Sequence, residues 1–491
     1  MRLLLKDKGL LIVVLIITEK NKEMKKGINL VGTTIQKLVN LIEKSLLDLN
    51  TSSSQDFIES TAILIHESMS GANRRFHTTD HIFQVIDPRG NPILNLSALF
   101  HDLVYYNVDG CFTLRIEEML NPYITVELEQ VFIRRRGTSQ DIILPIVLNV
   151  FGFSYGQLLT PFSGLNEFLS ALIFARIFQP LLTIKDLLGV IACIEASQPF
   201  RKNNSDGKSC FALLEERLQK INRTRSLGLK ENELIAIVKG SVRFANLDVS
   251  NFAYKDSAHF LDNTWKLLPE NNPHLVSNKV YTIKSYRSAL DKMEVFFNKV
   301  DVSAIFHCYA DEPTEEEFLK IQAQAEKNVN LAKFYLSGRL LATGILEALC
   351  MLTGGDAPVV MIMGNNSHGN VEPKHEFNDL INKIPVTIAK DVNPEILALL
   401  EYEADVVSIL DFRKTPLSAF VYKSIGQEKM LKYLEIAKEF FIGKRSAEDF
   451  LDEIDQGIVS AIATVCAEMI STRRNRFLSL IPPKGKKRSV A

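Results

Sequence analysis

The sequence predicts an all-α fold in two parts. Apolar residues recur at helical spacing along most of the chain, and helix start and stop residues bracket those stretches. Neither an alternating strand series nor a strand–glycine-rich loop–helix unit interrupts them. At 491 residues the chain is long enough for two or more domains. We expect a leader over 1–23, a helical bundle over about 24–300 and a second helical domain over 301–491.

The elements follow in order. From Thr34, "TIQKLVNLIEKSLLDL" sets Ile35, Leu38, Ile42, Leu46 and Leu49 on one stripe, which makes an amphipathic helix. "SSSQDF" then breaks the pattern and caps a helix over "FIESTAILIHESM". In "NPILNLSALFHDLVYY", Asn91 is a natural N-cap with Pro92 at the first helical position, and the helix carries His101 and Asp102 in its last turns. Two further apolar helices are expected across 141–196, and "RKNNSDGKS" (201–209) reads as a solvated loop. "KENELIAIVKGSVRFANLDVSNF" forms another helix ending near Asn251. After a break at 271–280, Thr314 and Glu317 form a capping box for a long helix that lasts until "TGGDAP". The chain is helical again after 380; the only hint of strand is a short run such as "PVVMIMG" (358–364).

Bulk properties exclude several classes. With 57 Lys+Arg against 58 Asp+Glu, the net charge of −1 offers no field for general attraction to nucleic acid, and no clear nucleic-acid-binding surface is expected. The six cysteines show no CxxC pair or framework spacing, which argues against a structural zinc site and for a reducing, cytoplasmic compartment. The apolar run Leu10 to Ile17 resembles a short signal core. It is too short to span a bilayer, and Met24 is an alternative start. No other stretch reads as a transmembrane segment.

The chemistry concentrates in "RRFHTTDHIF". His77 and His81 stand four residues apart, so on a helix both imidazoles share one face. Nine histidines give about a one-in-six chance of such a pair by accident, so the spacing gains meaning only with "LFHDLVYY". There, with nineteen residues between it and His81, His101 is followed directly by Asp102. Nitrogen and oxygen donors of this kind suit a borderline or hard divalent ion: Mn, Fe, Co, Zn or Mg.

F-H-x-x-x-H-I-x-x-V followed by L-F-H-D resembles the HD superfamily of metal-dependent phosphohydrolases. It is closest to the Y-H-N-x-x-H-A-x-x-V … HD signature of the cyclic-nucleotide phosphodiesterase type. The likeness covers roughly 57–110 and, less closely, 189–256. It implies that His77 is the general acid and that His81, His101 and Asp102 bind metal, with a final aspartate supplied by a later helix. It also implies a phosphate-containing small molecule or nucleotide as the ligand. For the last aspartate, Asp248 continues the buried stripe Leu234, Val238, Ser241 and Ala245, while Asp109, Asp256 and Asp262 are rivals. Glu195, in an apolar helix, either approaches the metal site or pairs with an arginine such as Arg201. Arg74, Arg75 and Arg201 are the candidates for holding phosphate. Two departures stand out: Tyr105 lies where those enzymes often continue with another histidine, and Thr78 replaces the usual asparagine. The competing expectations are a sensor that binds metal or nucleotide without turnover, and a C-terminal helical module that engages a protein partner. The other histidines, His66, His259, His274, His307 and the loop pair His368 and His375, read as ordinary core, turn or loop residues, and the runs "IRRRG" and "STRRNR" as solvated faces.

Overall fold

The computed structural model describes residues 32–135, 141–277, 280–363, 377–402 and 416–481. The leader, part of the "IRRRG" run, the His368/His375 loop and the basic C-terminal tail lie outside the described residues. Among the described residues the fold is all-α apart from one small sheet, and the chain forms two compact units: Met1–Ser250 with Ser303–Gln322, and Asn251–Val302 with Ala323–Ala491.

In the first unit, α1 (Thr34–Asp48) starts at a Thr33 capping box and buries Leu38, Leu41, Ile42 and Leu46. α2 (Gln55–Ser68) is capped by Ser54. α3 (Thr79–Val85) is short, and α4 (Pro92–Phe100) begins with the Asn91 cap and Pro92 that the sequence predicts. Three helices, not two, fill 141–196: α5 (Ile143–Phe151), α6 (Leu165–Phe178) and α7 (Ile184–Ala196). Gly152 and Gly164, both with positive φ, supply the breaks that continuous apolar character hides. α7 is the central helix, buried from Leu187 to Ala196 and packed by α4, α6 and α9 (Glu231–Asp248). α8 (Cys210–Thr224) completes the bundle.

The sheet is antiparallel, with β1 (Ile124–Glu127), β2 (Gln130–Ile133) and β3 (Leu158–Leu159) in register Ile124↔Ile133 and Val131↔Leu159. The run at 358–364 is a different case: Val359–Met363 is helical, and only Pro358 makes a bridge, to Thr282.

The second unit is built on α11 (Glu315–Gly354), a single 40-residue helix whose first turns group with the first unit. Its start is the expected Thr314–Glu317 box. α11 also contains a window long and apolar enough to cross a membrane, contrary to the sequence expectation, and 89% of that window is buried inside the protein. Residues 251–302, assigned by sequence to the first domain, cluster with this unit instead. The reason is polar as well as apolar. Asn328 of α11 binds the Phe252 carbonyl, and Glu347 binds Arg287 of α10 (Ile283–Lys299). Conversely, 303–322 returns to the first unit through Tyr309 to Glu215 and Arg243 to Glu312.

Candidate metal centre

Three segments of the first unit deliver the donors. His81 lies on α3, His101 is the residue at which α4 ends, and Asp102 follows it in a turn rather than on the helix. Asp248 is the last residue of α9, at the end of the buried stripe that the sequence shows. One ligand atom from each of His81, His101, Asp102 and Asp248 lies within 4.8 Å of all the others.

The individual distances suit a shared cation. His81 Nε2 is 3.0 Å from Asp248 Oδ1 and 3.6 Å from Asp102 Oδ2; His101 Nε2 is 2.9 Å from Asp102 Oδ2 and 3.2 Å from Asp248 Oδ1. Ligands about 2.1 Å from one ion sit about 3.0–3.4 Å from their neighbours. His101 Nδ1 donates to the Ala98 carbonyl oxygen at 3.0 Å, which fixes the ring so that Nε2 is the nitrogen facing the cluster. His101 Nε2 is buried and faces one oxygen of each carboxylate at similar distances, so all three atoms converge on a common centre.

The charges ask for a cation. Burial lowers the His101 pKa, but the Asp102 and Asp248 carboxylates outweigh it and hold the imidazole well above its ordinary value. Burial pushes both carboxylates up; the neighbouring imidazoles more than reverse this, placing Asp102 below the usual carboxylate range and Asp248 at about 2. Two ionised carboxylates at 16% and 15% exposure therefore share a pocket with two imidazoles, a donor set that fits a borderline or hard divalent ion.

His77 does not stand on the helix of His81. α3 begins at Thr79 with Thr78 as its cap, so His77 belongs to the bend before it. Its ring nevertheless lies 5.8 Å from that of His81, edge-on, and 4.4 Å from Tyr105. Buried Arg74 fixes this arrangement. It donates to both Asp109 oxygens (2.9 and 2.6 Å), to the His77 and Asp102 carbonyls (3.3 and 2.7 Å) and to the Leu103 carbonyl (3.2 Å). All five guanidinium protons are thereby used, which removes Arg74 from the candidates for phosphate. Arg75 donates Nη1 to the Arg74 carbonyl at 2.7 Å. Gly71 permits the close approach of Asp109, since a Cβ there would sit 2.9 Å from Oδ1.

The rivals to Asp248 are thus otherwise engaged: Asp109 by Arg74, and Asp256 as cap of a second-unit helix through the Ala258 N–H. Asp262 also belongs to the second unit. Glu195, buried at the end of α7, pairs with Arg201 at 2.7 Å, and equally with Arg217, a partner that sequence spacing gave no reason to choose. Glu167 was missed as well. It sits in the first turn of α6, where an acid normally serves the helix dipole. Here one oxygen, Oε2, is buried without a hydrogen bond. Burial first, then the nearby Asp102 and Asp248 charges, push its carboxyl up to about 7, against its own backbone N–H, which donates to it, and Arg201, both of which pull it down. His307, which read as a turn residue, exchanges two backbone hydrogen bonds with the Asn246 side chain; burial and Arg201 push its imidazole down to about 4. No family model, curated protein or solved structure matches the chain.

Proposed function

We propose that the chain is a metal-dependent phosphohydrolase of the HD type, acting on a phosphate-containing small molecule or nucleotide. The convergence of His81, His101, Asp102 and Asp248 carries the reading, joined by a histidine next to them that is not a member of the cluster. When bound there, a divalent ion supplies Lewis acidity toward water and toward a phosphoryl oxygen. The chain does the rest. His77 protonates the leaving oxygen as its bond to phosphorus breaks, and water adds on the opposite side. Arg74 holds the His77 and Asp102 backbones at fixed separation, so that donor and cluster keep their geometry.

A second reading, a sensor that holds metal or nucleotide without turnover, is favoured by the Tyr105 ring packed 4.4 Å from His77, which occupies one side of the proton donor. In that reading the second unit is the module that contacts a protein partner.

Elemental analysis of the purified chain, followed by a panel of phosphate esters and nucleotides with Mn or Mg, tests both. Stoichiometric metal with hydrolysis is the expected result. Stoichiometric metal with no turnover anywhere on the panel leaves the sensor standing; a chain that takes up no divalent ion overturns the hydrolase, and one that binds neither metal nor any nucleotide of the panel overturns both.

A further inference from the structure

A second set of charges lies beside the metal cluster and takes no part in it. Glu195 is 1% exposed, and its Oε1 receives Arg201 Nη1 and Arg217 Nη2, each at 2.7 Å. One carboxylate thus faces two guanidiniums, which leaves a surplus positive charge. The two arginine side chains are 21% and 24% exposed, so the surplus is within reach of solvent. Both also keep a buried Nε without a hydrogen bond. Arg201 Nη2 also reaches Glu195 Oε2 and the Ala196 carbonyl, both at 3.4 Å; an arginine pair held by one acid, with its guanidiniums part-exposed, is a device for binding an oxyanion.

Two separate connections tie this pair to the cluster. The start of α6 touches both sides: Asn166 accepts from the Tyr106 N–H at 3.0 Å, four residues after Asp102, and a Cβ on Gly164 would meet the side chain of Gln198, three residues after Glu195. His307 feels the Arg201 charge and is bound through its backbone to Asn246, two residues before Asp248 on α9. All these groups belong to the first unit.

We infer that Arg201 and Arg217 form a second anion subsite next to the metal cluster, and that the ligand of this site carries two phosphoryl groups, as a diphosphate or bisphosphate does. The inference rests on the phosphate-binding part of the function proposed above and deepens it. One phosphoryl group lies at the His81–His101–Asp102–Asp248 cluster and the other at the guanidinium pair. A ligand with a single phosphate leaves the pair unused.

The test is a calorimetric titration of the full-length chain at saturating Mn. The probes are inorganic phosphate and methylenediphosphonate, whose P–C–P bridge resists hydrolysis. The wild-type chain is expected to prefer the diphosphonate by about tenfold or more, the value of one or two charge-assisted hydrogen bonds. Arg217→Gln should remove that preference while leaving phosphate affinity within about twofold. Glu195→Gln, which enlarges the positive surplus, should keep or increase it. This second variant stands alone if Arg217→Gln fails to fold. A preference that survives Arg217→Gln overturns the subsite. A preference lost in Glu195→Gln also overturns it, because the ion pairs would then be structural only. Turnover is not read here, so an Arg217-dependent preference in a chain that hydrolyses nothing on the panel sinks the hydrolase and spares the subsite.

Discussion

Both units bury charge, and they do so to opposite ends. In the second unit, Arg287 and Glu347, 5% and 3% exposed, meet in a two-pronged pair at 2.8 and 3.3 Å, with the Phe441 ring 4.3 Å from the guanidinium. The pair is neutral and its geometry is spent on itself. In the first unit, the carboxylates of Asp102 and Asp248 converge with two imidazoles at one point, and no arginine or lysine among the described contacts neutralises their side chains. Buried charge marks a site when several groups converge on one point. Where it cancels one to one, it holds helices together.

The largest effect that could break this contrast is loss of metal. His101→Ala and Asp102→Ala are each expected to abolish bound divalent ion, and Asp248→Asn to weaken it strongly, whereas Asp256→Asn and Asp262→Asn should leave it intact. Elemental analysis reads all five, and full metal in the first two variants would end the comparison. Next in size, His77→Ala should retain metal but slow turnover by roughly 10²–10⁴-fold on esters with poor leaving groups. It should lose far less on nitrophenyl phosphate, whose leaving oxygen needs little protonation. If His77→Ala loses metal as His81→Ala does, both histidines are ligands.

In the second unit, Arg287→Met should cost about 3–5 kcal/mol, because Glu347 stays buried without its partner. Arg287→Met combined with Glu347→Leu should recover most of that loss, as measured by denaturant unfolding. A double variant as unstable as the single one would show that the pair does more than cancel. The smallest effect belongs to Glu167. Its carboxyl, held up to about 7, keeps its proton in the fold until about pH 7, while the unfolded chain ionises near 4.5. Wild-type stability therefore declines as pH rises from about 4.5 through about 7. Glu167→Gln escapes this, so in chelator-treated protein it should gain on the order of 1–3 kcal/mol over wild type at pH 8 and little at pH 4. Equal gains at both pH values would mean that the carboxyl is not strained by its surroundings.

Much of the site was legible because it follows from local rules. Asn91 and Pro92 start α4 and so place His101 and Asp102 at its end, and the stripe through Ser241 and Ala245 points to Asp248. What escaped was set by tertiary contacts. His77 leaves the helix because α3 starts at Thr79, a boundary that the i,i+4 spacing cannot reveal. Arg217 meets Glu195 across 22 residues, and no periodicity encodes that pairing. The β1–β2 hairpin was hidden for another reason. Its two-residue turn is Leu128–Glu129, both with positive φ, where glycine or asparagine would have announced it.

Arg74 has a consequence for timing. The bend that bears His77, the turn that bears Asp102, and the Asp109 segment all hang on one guanidinium, so they should open to solvent as a single cooperative unit in hydrogen exchange. On the proposed metal-binding reading, a cation arriving at the cluster would meet donors already held in place, with little chain to organise. The slow step in loading becomes the ion's release of its own water, and Mg, which dehydrates reluctantly, should enter more slowly than Mn.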